Sequence, residues 1–288
     1  MSNTDQGAAT GVEALELQLP SGRVHAEVRG PAAGLLLVAV PGLSANLRGF
    51  DFLAERLAPP HRVVALDLRG RGHSEVTAAG TYGWERHAED VIAVADALDA
   101  RQFVVIGQSM GAAIAMEVAR LAPGRLRAAV LIDACGVPDP STEAPIRAAV
   151  ERLGAVYPSF DGYLALVQQL GTIRPWSPYW ERYFRYELAE VEGGVRARSD
   201  RASVLEDAEY GSRHSPRDLW PSLTMPVLLA RATVPLIGET GFIVPVADRD
   251  AFLAEVPRAA LVEVDANHYG INTHPATADA IKAFLATR

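Results

Sequence analysis

Six short apolar runs punctuate this chain: Leu35–Val40, Val63–Leu66, Phe103–Ile106, Ala129–Ile132, Val227–Ala230 and Leu261–Val264. They are continuous, not alternating, so each reads as a strand buried on both faces, a situation that a parallel sheet covered by helices provides. Stretches with helical spacing lie between them, at Phe50–Leu57, Trp84–Leu98, Met110–Leu121 and Ala276–Leu285. This order predicts βαβ units in one α/β sheet with helices on both sides. Upstream, Val12–Leu19 and Arg23–Arg29 alternate apolar and polar residues around Pro20-Ser21-Gly22, the pattern of an antiparallel hairpin.

Residues 138–216 break the rhythm. They hold amphipathic patches, no clear strand and a concentration of aromatics that includes Tyr157, Phe160, Tyr163, Trp176, Tyr179, Trp180, Tyr183, Phe184 and Tyr186. A plain loop of this length does not belong in a compact domain. The segment is expected to be a mostly helical cap inserted into the sheet domain, which would then comprise residues 1–137 and 217–288.

The 288 residues suffice for a large core, and a net charge of −8 gives no basic footprint for nucleic acid or an anionic membrane. The polar first ten residues read as a loose tail without the basic start and apolar stretch of a signal peptide. The apolar run around Gly34 to Val40 is too short to span a bilayer. A single cysteine, Cys135, implies neither an internal disulfide nor a cysteine-based metal site, and the cytoplasm is the expected location. The sequence is compatible with a homo-oligomer.

The stretch Gly107-Gln108-Ser109-Met110-Gly111 sits where a buried strand must turn into a helix. A serine hydroxyl needs a base to take its proton and donors to hold an oxyanion. At a sharp strand-to-helix turn Ser109 stands at an apex, the small glycines leave room around it, and the helix N-terminus aims the Met110 amide at developing negative charge.

At this point the chain resembles the α/β-hydrolase superfamily, from about residue 12 to the C-terminus with the cap excepted. "VAVPGLSAN" (38–46) follows a strand where the family usually has a His-Gly motif; Pro41 replaces the histidine and Gly42 is kept. By that match the Leu43 amide would be the second oxyanion donor beside Met110. "ALDLRGRGHS" (65–74) matches the family's Asp-x-Arg-Gly-x-Gly-x-Ser turn, and "VDANHYGINTHP" (264–275) matches its final strand and histidine, with Asn267 where glycine is commoner. The implied fold is a mostly parallel eight-stranded sheet flanked by helices, with the cap after strand 6.

Of seven histidines, His268 follows the last strand on the edge expected to carry Ser109, which makes it the candidate base. His274 reads as a helix start and His73 as a turn residue. His25, His61, His87 and His214 fall on expected strand, loop, helix or cap surface and receive no role. The acid departs from the common family pattern, because "ETGFIVP" (239–245) places Gly241 where most members carry aspartate. Asp133, ending the strand in "VLIDACG", is favoured over Glu239 because a strand end holds a carboxylate more rigidly than a long loop.

Gly70-Arg71-Gly72 resembles the start of a dinucleotide fingerprint, but Glu75 stands where the third glycine belongs and no helix follows, so no nucleotide cofactor is expected. No HxxxH or paired Cys/His spacing supports a metal. Cap aromatics, Trp176 and Tyr183 among them, either pack the cap or face substrate. The expected activity is hydrolysis of an ester or lactone of a moderately apolar small molecule, with Ser109 as nucleophile, His268 as base and Asp133 as its orienting acid, and with no cofactor. The alternatives are carbon–carbon bond hydrolysis of a vinylogous diketone by the same residues, and a catalytically silent receptor for a small apolar ligand.

Overall fold

The computed structural model describes residues 11–236, 239 and 241–287; the expected tail over residues 1–10 lies outside them. Eight strands form one sheet: β1 (Val12–Leu19), β2 (Gly22–Arg29), β3 (Leu36–Val40), β4 (Arg62–Leu66), β5 (Phe103–Gln108) and β6 (Leu126–Ile132), then, after a second small sheet of β7 (Leu188–Val191) and β8 (Gly194–Ala197), β9 (Val227–Ala232) and β10 (Ala259–Val264). Their order is β1-β2-β4-β3-β5-β6-β9-β10. The hairpin pairs antiparallel with itself and with β4, and every other pairing is parallel. The mostly parallel eight-stranded α/β-hydrolase architecture is therefore borne out.

The continuous apolar runs explain which strands lie inside. β3, β5 and β9 are buried along their whole length, and one cluster packs on each face of the sheet. β10 differs from expectation: as the edge strand it is largely half-buried or exposed. Helices α1 (Asp51–Leu57), α2 (Trp84–Ala97) and α3 (Met110–Leu121) follow β3, β4 and β5. Helix α3 is buried from Gly111 through Ala119, so it belongs to the interior and not to a wet surface. Its alanines suit that place twice, as strong helix formers and as small side chains that let the helix lie close to the sheet.

Between β6 and β9 the chain forms α4 (Glu143–Glu151), α5 (Phe160–Leu170), α6 (Pro178–Glu187), the β7–β8 hairpin and α7 (Arg201–Arg213). The hairpin corrects the expectation that this segment lacks strands. Its four-residue strands, joined around Glu192-Gly193, are too short to give a periodic signal. After β9 the sheet domain continues with α8 (Val246–Glu255), which the hydropathy pattern did not reveal because its buried residues are Asp248 and Phe252, and ends with α9 (Pro275–Leu285). Among the described residues no helix is long and apolar enough to cross a membrane.

Strand order reverses direction at β3 and β5: the chain leaves β3 for β4 on one side, then crosses to β5 on the other. In open α/β sheets such a switch point opens a crevice at the carboxyl ends of the strands. Here the first turn of α3 is pressed against the ends of both strands. A β-carbon at Gly111 would stand 2.0 Å from the Val40 carbonyl oxygen, and one at Gly107 would stand 2.0 Å from the Gly111 carbonyl oxygen. Gly111→Ala should therefore lower stability by about 1–3 kcal/mol in urea unfolding, since backbone cannot yield as a side chain would; an unchanged midpoint would contradict this packing. Cys135 is fully buried, and burial pushes its thiol up to about 12. Ellman's reagent should consequently find no thiol in the native protein and one after denaturation.

Candidate active site

Ser109 separates the last residue of β5 from the first of α3, with φ 56° and ψ −124°. A positive φ at a non-glycine residue costs on the order of 1–3 kcal/mol and persists only where its surroundings enforce it. Here they do: the Ser109 amide donates to the Ile132 carbonyl (3.0 Å), and the Ser109 carbonyl accepts from Ala112 (2.9 Å). Gly42 lies so close that a β-carbon there would be 3.1 Å from Ser109 Cβ. The bend thus places the serine beside the loop after β3. Leu43 and Met110 both line the cavity with Ser109. Met110, as the first residue of α3, has an amide that the helical ladder leaves unpaired.

His268 lies between β10 and a short turn at Gly270–Thr273. Its Nδ1 is 2.9 Å from Asp133 Oδ2, and both residues are buried. A carboxylate accepts only, so Nδ1 carries the proton and Nε2 presents a lone pair. Asp133 is itself fixed at φ 47°: its Oδ1 accepts the Ala232 amide (2.9 Å), and its own amide donates to the Ala230 carbonyl (2.7 Å). The end of β6 and the neighbouring β9 together hold this carboxylate. Glu239, the alternative, is exposed, and no contact between it and His268 occurs among the described residues. Asn267 braces the histidine turn by accepting the Tyr269 and Gly270 amides on Oδ1 and donating from Nδ2 to the Thr172 carbonyl.

Gln108 is a member of the site that sequence reading passed over. Its side-chain amide donates to His268 Nε2 at 3.0 Å, while Ser109 Oγ makes no hydrogen bond among the described residues. The middle position of Gly-x-Ser carries no chemical signal by itself, and only folding brings it to the imidazole. A second miss concerns His87, expected on a helix surface. It is fully buried, with Nε2 2.9 Å from Asp207 of α7. Helical spacing put it on α2 correctly, but the face it shares with α7 depends on the inserted segment.

Ser109 and His268 open onto one cavity of about 340 Å³, within the range of small-ligand sites. Its wall is mainly apolar, with Tyr183 and Trp180 from α6, Tyr269 beside the histidine, and Trp84 and Gly211 toward α7. Trp176 does not line it: its ring stacks on Phe184 at 5.9 Å in the packing of the inserted segment. Of the described lining residues Arg152 is the only arginine or lysine, and it is already engaged. It donates to Tyr163 Oη (2.7 Å) and stands 3.6 Å from buried Glu187. Burial pushes the Glu187 carboxyl up, and Arg152 partly offsets that. No group of three His, Cys, Asp or Glu side chains suited to a metal occurs among the described residues.

Comparison with known proteins agrees with this architecture. The family described as alpha/beta hydrolase fold matches residues 36–275. The chain is 28% identical over 243 residues to a 2-hydroxymuconate semialdehyde hydrolase of Pseudomonas sp. strain CF600, covering 76% of this chain and 84% of that one. It is 28% identical over 212 residues to a 2-(acetamidomethylene)succinate hydrolase of Mesorhizobium japonicum, covering 73% and 74%. Among solved structures, E-2-(acetamidomethylene)succinate hydrolase superposes with a TM-score of 0.84 at 22% identity, over 96% of this chain and all of that one. An alpha/beta hydrolase from Novosphingobium aromaticivorans superposes with 0.78 at 25% identity, over 96% and 99%. The chain belongs to the α/β-hydrolase family.

Proposed function

We propose that this protein is a serine hydrolase that cleaves a bond beside a carbonyl in a small, mainly apolar molecule through an acyl-enzyme on Ser109. The observation that carries the reading is the placement of His268: Nδ1 is on Asp133, Nε2 accepts from Gln108, the residue before Ser109, and Ser109 and His268 line one cavity. In this reading Gln108 releases Nε2 when substrate enters, and Nε2 takes the Ser109 proton as Oγ attacks the carbonyl carbon. Asp133 holds the imidazole in its tautomer and stabilises the imidazolium. The Leu43 and Met110 amides receive the oxyanion. The tetrahedral intermediate then collapses, the leaving group takes the proton from His268, and a water deprotonated by His268 releases the acid.

The bond cleaved is the finer question. Sequence reading placed an ester or lactone first and a carbon–carbon bond second; the relatives favour the second. 2-Hydroxymuconate semialdehyde contains no ester or amide, so a hydrolase of such a molecule has a carbon–carbon bond to break. A vinylogous diketone suits the same residues, because the electron pair of the departing carbon is delocalised into a conjugated carbonyl. The largely apolar wall and the pairing of Arg152 with Glu187 support a substrate with little net negative charge over a dicarboxylate. An ester remains the second reading, favoured because the site holds the nucleophile, base and amides that ester cleavage needs without further groups.

Assayed side by side, a vinylogous diketone is expected to be hydrolysed with higher kcat/KM than aryl esters of similar size; the reverse order would restore the ester reading. Ser109→Ala should lose at least about 10³-fold in kcat with the fold intact, and a fluorophosphonate should label Ser109. An unlabelled protein would favour the silent receptor. Asp133→Asn should cost about 10³- to 10⁴-fold in kcat by removing the imidazole's orientation, while Glu239→Gln leaves kcat within about twofold. Equal losses in the two variants would reopen the choice of acid.

A further inference from the structure

The Gly70-Arg71-Gly72 turn contains a fully buried arginine. We propose that Arg71 is a positioning residue for the oxyanion side of the site, tying the loop that carries the Leu43 amide to α7 through Asp207. The proposal rests on the reading of Leu43 as an oxyanion donor. Arg71 donates from Nε (3.0 Å) and Nη2 (2.9 Å) to the Leu43 carbonyl, from Nη1 to the Arg69 carbonyl (3.0 Å), and from Nη2 to Asp207 Oδ2 (2.6 Å). Asp207, also fully buried, accepts the Gly83 amide on Oδ1 (2.6 Å) and faces His87 Nε2 with Oδ2 (2.9 Å).

Stability does not explain this arrangement. A buried ion pair roughly breaks even against apolar side chains of the same volume. What the guanidinium adds is direction. Two nearly parallel N–H groups on one carbonyl oxygen fix the Leu43–Ser44 peptide plane, which a lysine, as a point charge on a flexible stem, does not do. The same loop is held from its other end by the Ala45 amide on the Gly42 carbonyl (3.2 Å), with Gly42 packed against Ser109 and Gln108. Between these constraints the Leu43 amide is set in place before substrate arrives, and oxyanion stabilisation needs that preorganisation.

The turn is shaped to receive α7. A β-carbon at Gly70 would be 2.7 Å from Ser203 Cβ, and the Asp200 amide donates to the Gly70 carbonyl (2.8 Å). Burial alone would push the Asp207 carboxyl up, but His87, Arg71 and the Gly83 amide outweigh it and bring it down to about 2. Asp207 therefore stays a carboxylate throughout the working pH range. Both Leu43 and Asp207 also line the cavity, so the inserted segment and the Leu43 loop are joined at its wall.

The test compares Arg71→Lys and Asp207→Asn with Asp90→Asn. Asp90 pairs with buried Arg69 in the same turn (2.8 Å to Nε) but touches nothing in the Leu43 loop, so it reports a merely structural loss. In Arg71→Lys and Asp207→Asn, hydrogen exchange of the segment 42–48 should accelerate, and kcat and fluorophosphonate labelling should fall by about tenfold or more with KM changed less than about threefold. Asp90→Asn should show neither effect. Should Asp207→Asn fail to fold, Arg71→Lys, which keeps the charge, decides alone. Exchange and labelling in Arg71→Lys that match Asp90→Asn would overturn the proposal. If the wild-type chain takes no fluorophosphonate, the hydrolase reading falls, and the exchange of segment 42–48 still decides whether Arg71 holds the loop.

Discussion

The approach of two backbones at the switch point of the sheet governs this structure. Gly111 lies beneath the Val40 carbonyl, and Gly107 beneath that of Gly111, at separations where no side chain fits. That contact lets α3 start directly on the carboxyl end of β5 and forces the intervening residue to a positive φ. The strain at Ser109 is local, while its support is distributed over β3, β6 and the buried face of α3. A serine placed by a flexible loop would need no such support, but its hydroxyl would be free to settle elsewhere. The apex geometry is thus a product of core packing, and the core is what the apolar runs in the sequence encode.

The same logic underlies the proposed role of Asp133. Orienting an imidazole requires a carboxylate whose own position is over-determined, and Asp133 has its backbone amide and one side-chain oxygen bonded to β9. Its positive φ turns the side chain across the strand ends toward His268. Among the described residues Glu239 makes no hydrogen bond or ion pair, so in the proposed reading the task falls to the β6 end. A family pattern at one strand end is here replaced by a carboxylate from a neighbouring strand that reaches the same nitrogen.

Legibility followed the range of the interactions involved. The strands of the sheet, the serine turn and the histidine loop could be read because each depends on residues close in sequence: an apolar run, two glycines, a strand end. Asp133 was readable only in part, since its pairing with His268 spans the sheet. Gln108, Arg71, His87 and the stacking of Trp176 on Phe184 were not readable, because each acquires meaning from a partner far away in the chain. The β7–β8 hairpin and α8 escaped for a different reason: a four-residue strand has too few alternations, and a helix that buries one large apolar residue has almost no stripe.

The inserted segment shows why such distant partners gather where they do. Its own aromatic cluster is separate from the two that cover the sheet, and Tyr179, Tyr186 and Tyr210 are the aromatics of the segment that pack against those two, so apolar burial leaves part of its orientation to other contacts. Directional contacts supply that part, and while Thr172 and Tyr179 bond elsewhere, to Asn267 and Glu55, three of them converge on the turn after β4. Tyr186 of α6 donates to Asp67 Oδ2 (2.5 Å), Asp200 before α7 donates to the Gly70 carbonyl, and Asp207 within α7 holds Arg71. Asp67 meanwhile accepts the Leu47 and His73 amides, fixing the turn against the chain that follows β3. Hydrophobic contact tolerates sliding, whereas hydrogen bonds to buried carboxylates do not, because a shift of even one partner leaves a desolvated charge. The Asp-x-Arg-Gly-x-Gly-x-Ser stretch therefore need not enter the chemistry to matter to it. It is the seam that joins α6 and α7 to the loop beside Ser109, so the cavity wall on the α7 side and the Leu43 loop are held by one set of contacts.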